Sequence, residues 1–256
     1  MENLRTSFLG YPVDNISLYE LLDFTVHAIQ SDEMHYFAVQ NANKMYLSEK
    51  HSQVRQFINH ARIILPENAI NIGMRALRKP LKQRNMGGVH VMEELLKLAN
   101  QRSYSISLLG ARQYELEALS EAIYFRYPKI HIKNKINGYF EQQNEKRIVE
   151  KIRENRPNIL FVGLGSPRQE IFIAKYRRLL NANIIIGVGG SFKVLAGLEK
   201  PAPRWTKYGL EWLYRSVQDP KKLRRYIVIN SFYLYKFTKY FVSQKLKGEV
   251  GVMRKT

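Results

Sequence analysis

The 256-residue chain has no cysteine. That excludes disulfides, thiolate metal sites and a cysteine nucleophile, and it fits a cytosolic setting. No apolar run reaches the roughly 18–20 residues that span a bilayer. The start, Met1-Glu2-Asn3-Leu4-Arg5, lacks the apolar stretch of a secretory signal, so none is expected. The six histidines show no H-x-x-x-H spacing, so no metal site is expected. Acidic residues are scarce: 22 Asp+Glu stand against 41 Lys+Arg, a formal net charge of +19. What is present is otherwise ordinary for a globular chain, with 45% hydrophobic and 25% charged residues. Disorder, collagen and low-complexity fibre are thereby excluded. The charge implies an anionic partner: nucleic acid, anionic lipid or a phosphorylated small molecule.

The charge is unevenly spread. Residues 200–256 carry +11 and the preceding 199 residues carry +8. Aromatics crowd the same tail, among them Trp205, Trp212, Tyr226, Phe232, Tyr233, Phe237 and Phe241. Mixed cations and rings suit stacked bases, a membrane interface, or a helix docked on the core by its aromatic face. Pro201 and Pro203 break the pattern before this tail. The expected division is an α/β core over 1–199 and a helical, basic, aromatic-rich appendage over 200–256.

Within the core, short apolar runs alternate with helical stretches. Strands are expected at Tyr36–Val39, Arg62–Leu65, Ser105–Leu109, Ile130–Ile132, Asn158–Val162 and Asn183–Val188. Helical spacing is read over Lys44–His60, Met92–Asn100, Glu115–Phe125, Arg147–Asn155 and Gln169–Leu180. Continuous apolar strands alternating with helices predict a Rossmann-like α/β fold, a mostly parallel sheet covered on both faces. Such sheets bind ligands beyond the carboxyl ends of their strands.

The loops at those ends are polar or glycine-rich. Gly163-Leu164-Gly165-Ser166-Pro167-Arg168-Gln169-Glu170 leaves a strand and opens a helix. Free N–H groups there suit phosphate, and Arg168 would add a charge-assisted bond. The run is neither G-x-G-x-x-G nor a Walker loop, and a plain tight turn reads the same residues. Gly187-Val188-Gly189-Gly190-Ser191-Phe192 repeats the pattern on the next strand, giving a flat floor for a nucleotide. Asn41 and Asn43 offer amide donors and acceptors for a uracil or sugar edge, or cap a helix. Glu67, after Pro66, reads as a general base on a sugar hydroxyl or as a first-turn helix residue. Arg84 and His90 lie in a glycine-containing connection, and His90 alone reads as structural more readily than catalytic.

Taken together, these segments resemble the WecG/TagA/CpsF family of bacterial glycosyltransferases. The resemblance rests on Asn41-Ala42, Gly138-Tyr139-Phe140, the two glycine loops, Arg204-Trp205 and Gly209-Leu210-Glu211-Trp212-Leu213-Tyr214-Arg215. It implies inverting, metal-independent transfer of a sugar from a UDP-sugar to a polyprenyl-diphosphate-linked glycan acceptor, with no cofactor. The implied location is cytoplasmic, peripheral on the inner face of the cytoplasmic membrane. Glu67 takes the place of the family's aspartate in Pro-Asp-Gly and becomes the candidate base, with His90 as runner-up. The implied substrate-binding set is Asn41, Asn43, Arg84, Gly110, Gly138, Tyr139, Gly163, Gly165, Ser166, Arg168, Gln169, Gly189, Gly190, Arg204 and Arg215. Lys221, Lys222, Arg224 and Arg225 are expected to meet anionic headgroups. Lys193 stands where the family usually has an aspartate, a change that would welcome a negatively charged sugar. The alternative from charge alone is a nucleic-acid-binding α/β protein, but no helix-turn-helix, RRM or KH signature appears and the glycine loops would be idle. The resemblance leaves no role for nucleic acid, and a homo-oligomer stays open.

Overall fold

The computed structural model of the chain describes residues 4–83, 85–200, 203, 211–218 and 223–253, without the side chains of 211, 212, 215, 218 and 244–253. The chain opens with an antiparallel hairpin, β1 (Arg5–Phe8) and β2 (Tyr11–Asp14), followed by α1 (Leu18–Gln30). Ser17 starts α1 through a reciprocal capping box: its Oγ accepts the Glu20 N–H, and Glu20 Oε2 accepts the Ser17 N–H. Next come β3 (His35–Gln40), α2 (Ala42–Lys50), α3 (Ser52–Asn59), β4 (Ile63–Pro66), α4 (Asn68–Ala76) and α5 (Gly88–Arg102). Then follow β5 (Ser105–Gly110), α6 (Gln113–Arg126), β6 (His131–Ile136), α7 (Glu145–Asn155), β7 (Ile159–Gly163), α8 (Arg168–Tyr176), β8 (Ile184–Gly187) and α9 (Ser191–Leu195). Two further helices close the described chain, α10 (Glu211–Gln218) and α11 (Leu223–Met253).

Strands β3 to β8 form one parallel sheet in the order β4-β3-β8-β7-β5-β6. The expected α/β, Rossmann-like architecture is therefore present. Alternate strand residues serve opposite faces, as a pleated strand requires. Phe37, Val39, Leu65, Ile106, Leu108, Phe161 and Ile186 meet buried residues of α1, α5, α6 and α9 on one face. Tyr36, Ala38, Ile64, Leu160, Val162 and Ile185 meet α3, α7 and α8 on the other. Adjacent strands β3 and β8 send their chains to opposite faces, so a crevice opens between their carboxyl ends.

Several boundaries differ from the sequence reading. The single helix expected over Lys44–His60 is two, because His51 has extended backbone (φ −130°, ψ 110°). The strand before Asn137 runs to Ile136, and α1, α4 and the hairpin add elements the periodicity did not separate. The hairpin covers the β4 edge: Arg5 holds Asp14 through two bonds, and Asp14 Oδ2 accepts the Ile64 N–H at 2.7 Å. Edge strands left with free donors invite aggregation, and this carboxylate occupies one of them.

The appendage helix α11 is docked on the core. Phe232, Tyr233, Phe237 and Tyr240 pack on a cluster of Phe8, Val13, Met45, Ile70 and Met74. Tyr233 Oη donates to the Ala69 carbonyl at 2.6 Å, and Lys236 Nζ donates to Glu49 Oε1 at 2.8 Å. The opposite side of α11 leaves Ile227, Val228, Leu234, Tyr235, Phe241 and Val242 exposed. Those residues recur every seven positions, so they form one apolar stripe along the helix. No helix among the described residues is long and apolar enough to cross a membrane.

Candidate active site

A cavity of 310 Å³ lies in the crevice, lined by Asn41 and Lys44 after β3, Glu67 after β4, and Gly187 to Ser191 after β8. Ser166 from the β7–α8 loop, Gln169 from the first turn of α8, Gly88 and Val89 from α5, Val39, Val194, Glu199, Arg225 and Tyr226 also line it.

Glu67 sits at the cap position of α4, yet its side chain makes no cap bond. It turns to Asn41 instead, whose Nδ2 donates to Glu67 Oε2 at 2.7 Å. Asn41 Oδ1 accepts the Lys44 N–H at 2.9 Å, so one amide both caps α2 and orients the carboxylate. The helix-cap reading of Asn41 is present in the structure, alongside a bond to Glu67. The start of α5 comes close to Glu67: a Cβ on Gly87 would lie 3.2 Å from Glu67 Oε1. Glycine there lets a helix N-terminus approach a carboxylate, an arrangement favourable to its charge. His90 lies on the first turn of α5, half-buried, and is not among the residues lining the cavity. Asn43 is likewise on α2 without facing the cavity.

Gln169 links the two glycine loops. Its Nε2 donates to Glu170 Oε1 at 2.6 Å, and its Oε1 accepts the Gly189 N–H at 3.1 Å. Ser166 Oγ also donates to Glu170 Oε1, at 3.0 Å. Lys44 Nζ lies 3.2 Å from the same oxygen, in an ion pair whose side chains are 5% and 0% exposed. Lys44 and Glu170 are among the site residues that the sequence reading left out. The available signal was spacing, since Lys44 follows Asn41 by one helical turn.

The glycines divide by what surrounds them. Gly189 and Gly190 line the cavity, and a Cβ on either would meet nothing within 4 Å. Gly165 is equally open. Gly110, Gly138 and Gly163 instead pack on backbone and rings: a Cβ on Gly110 would lie 2.4 Å from the Gly163 carbonyl, and one on Gly138 2.8 Å from Gly110 Cα. Gly163 itself backs onto Phe192.

Two expected cations are engaged elsewhere. Arg168 Nη1 and Nη2 donate to the carbonyls of Gly138 and Phe140 at 2.6 and 3.0 Å, and the guanidinium lies over the Phe140 ring. It braces the Gly138–Phe140 loop and does not line the cavity. Lys193 Nζ pairs with Glu115 Oε1 at 3.0 Å, which holds the lysine above its usual pKa. Burial pushes Glu115 up, but the Arg112 N–H and Lys193 outweigh it and keep the carboxyl below its usual range. The cation expected to welcome an acidic sugar is therefore neutralised. Tyr139 is 70% exposed beside this pair, with the Arg112 guanidinium 5.6 Å from its ring centre.

Arg225, expected at the headgroups, lines the cavity next to Tyr226, while Arg224 is exposed on the same turn. Arg84, Arg204, Lys221 and Lys222 lie outside the described residues, as does the side chain of Arg215.

Comparison with known proteins finds relatives over most of the chain. Residues 6–247 match a family model described as the glycosyl transferase WecG/TagA/CpsF family. A relative from Staphylococcus aureus strain MW2 is 30% identical over 239 residues, covering 92% of each chain. A second, from strain NCTC 8325 / PS 47, shows the same identity and coverage. Both are described as N-acetylglucosaminyldiphosphoundecaprenol N-acetyl-beta-D-mannosaminyltransferase.

Proposed function

Because the chain belongs to the WecG/TagA/CpsF family of glycosyltransferases, we propose that it moves a sugar from a UDP-sugar to a polyprenyl-diphosphate-linked acceptor, with inversion and without a metal. The observation that carries the reading is the Asn41–Glu67 pair set in a cavity floored by glycine loops. In the proposed step the acceptor hydroxyl oxygen bonds to the anomeric carbon of the donor sugar. Glu67 takes the hydroxyl proton, and the anomeric C–O bond breaks with its electrons going to UDP. Asn41 holds the base in one orientation, which shortens the search for a reactive geometry.

Gly189, Gly190, Ser166 and Gln169 face the donor in this reading, and Arg225 supplies positive charge at the rim. Arg84, Arg204 and Arg215 are kept as proposed contacts for the diphosphates, and Tyr139 for the nucleoside. Arg168 acts indirectly, by bracing the loop that carries Tyr139. The donor is a neutral N-acetylhexosamine, as in the name of the Staphylococcus aureus relatives. The neutralisation of Lys193 by Glu115 supports a neutral sugar over a uronic acid.

The membrane is the proposed partner of the outer side of α11. Its apolar stripe and the cations Lys221, Lys222 and Arg224 supply the two attractions that hold a peripheral helix at an anionic surface. In this reading the enzyme works at the cytoplasmic face, within reach of a lipid-linked acceptor. A screen of UDP-sugars for UDP release, with a lipid-diphosphate acceptor analogue present, tests the reading. Release from UDP-N-acetylmannosamine is expected, and release from no UDP-sugar would refute it.

A further inference from the structure

The buried ion pair beneath the cavity is not explained by the proton transfer assigned to Glu67. Stability does not explain it either. Burying two charges costs about as much as their attraction returns, so apolar residues of similar volume would serve the fold as well or better. The pair is also built asymmetrically. Lys44, Ser166 and Gln169 all converge on Glu170 Oε1, at 3.2, 3.0 and 2.6 Å. Glu170 Oε2 is buried with no hydrogen-bond partner among the described residues. The hydrogen bonds from Ser166 and Gln169 fix the carboxylate, and the carboxylate in turn holds the ammonium in an ion pair. Glu170 is fully buried, whereas Lys44 lines the cavity. An ammonium has three N–H donors, and an ion pair with one carboxylate oxygen leaves donors to offer the cavity.

We infer that Lys44 is a further substrate-binding residue, whose ammonium, held in place by Glu170, meets the diphosphate of the donor. The inference rests on the UDP-sugar reading of the cavity. As the anomeric C–O bond breaks, negative charge grows on the departing diphosphate. A cation already fixed beside it stabilises that charge without reorganising. Lys44 takes no part in proton transfer.

Calorimetric titration with UDP and with uridine tests this on the full chain, using wild type and the charge-neutral double variant Lys44→Met/Glu170→Gln. Single substitutions would leave one buried charge unpaired and risk unfolding; the double variant avoids that, and its circular dichroism and melting temperature verify the fold. Expected is about a 10- to 100-fold weaker UDP affinity, the loss of one charge-assisted bond, with uridine affinity unchanged. The inference is overturned if the folded double variant binds UDP as wild type does, or loses uridine to the same extent. Failure of wild type itself to bind UDP would instead overturn the donor-site reading, and the role of Lys44 with it.

Discussion

Asn41 Nδ2 donates to Glu67 Oε2 across 2.7 Å while Asn41 Oδ1 accepts the Lys44 N–H. A cap residue and a candidate base are thereby coupled through one planar amide, which cannot rotate for one partner without failing the other. The relation makes Glu67→Gln a clean probe of chemistry. Glutamine keeps the size and an acceptor oxygen for Asn41 but cannot take the acceptor proton. Turnover is expected to fall by about 10²- to 10⁴-fold with UDP affinity and melting temperature preserved. Near-normal turnover would move the base elsewhere, with His90 next to be tested.

Asn41 itself separates capping from orientation. Asn41→Ala should lose about 0.5–2 kcal/mol of stability with the α2 cap, and most of the turnover. Asn41→Asp retains the cap acceptor but sets a second carboxylate against Glu67. Like charge raises the pKa of the base, so the acid limb of the pH–rate profile should move to higher pH while denaturant stability stays near wild type. A profile unmoved in Asn41→Asp would show that the contact does not reach the reacting carboxylate.

The two classes of glycine should respond oppositely to alanine. At Gly110 the backbone φ is +140° and a Cβ would overlap the Gly163 carbonyl, so Gly110→Ala should destabilise or unfold the chain. Gly190 has φ −73° and open space around its Cα, so Gly190→Ala should fold normally. Its new methyl would enter the cavity, and the expected effect is on KM for the donor. Thermal melts of both variants alongside donor kinetics check the contrast.

Much of this architecture was legible in the sequence because six short apolar-rich runs each became a strand, four of them running straight into Pro66, Gly110, Gly163 or Gly189. The break at His51 was not legible, since histidine carries no turn signal of its own. Helix α4 was hidden partly by Gly73, which is tolerated there because Phe8 and Tyr233 press on it: a Cβ would lie 2.3 Å from Phe8 Cζ. Site residues split by distance along the chain. Asn41 and Glu67 directly follow strand ends and Gln169 opens the helix after one, so all three could be read from topology. The bracing bonds of Arg168 were not legible because its carbonyl partners are 30 and 28 residues away. Lys44 was passed over because a lysine on a helix normally faces water, and only the folded chain brings Glu170 to it.

The docking of α11 should weaken in acid. Lys236 and then Tyr11 donate to Glu49 and hold its carboxyl below the usual range. A depressed folded-state pKa stabilises the docked helix above the unfolded carboxylate pKa, and that contribution is lost as pH falls through the lower folded value. Amide hydrogen exchange in α11 should therefore accelerate relative to β7 and β8 on acidification below about pH 4, after correction for intrinsic rates. Glu49→Gln should remove the pH dependence.

Membrane attachment can be separated from catalysis because Arg225 lines the cavity and Arg224 does not. Charge reversal at Lys221, Lys222 and Arg224 spares Arg225 in the cavity wall while inverting the charge offered to the surface. At about 1 kcal/mol per basic residue, losing three of them weakens binding by about 100-fold, and the added acids repel further. The triple variant should stay in the supernatant when sedimented with anionic liposomes, yet keep its turnover on a water-soluble acceptor analogue. A second variant, Ile227→Ser/Leu234→Ser/Phe241→Ser, removes the apolar stripe without changing charge. It should lose binding to anionic liposomes in high salt, where screening leaves the apolar contribution dominant. Unchanged sedimentation in both variants would show that this side of α11 does not meet the bilayer.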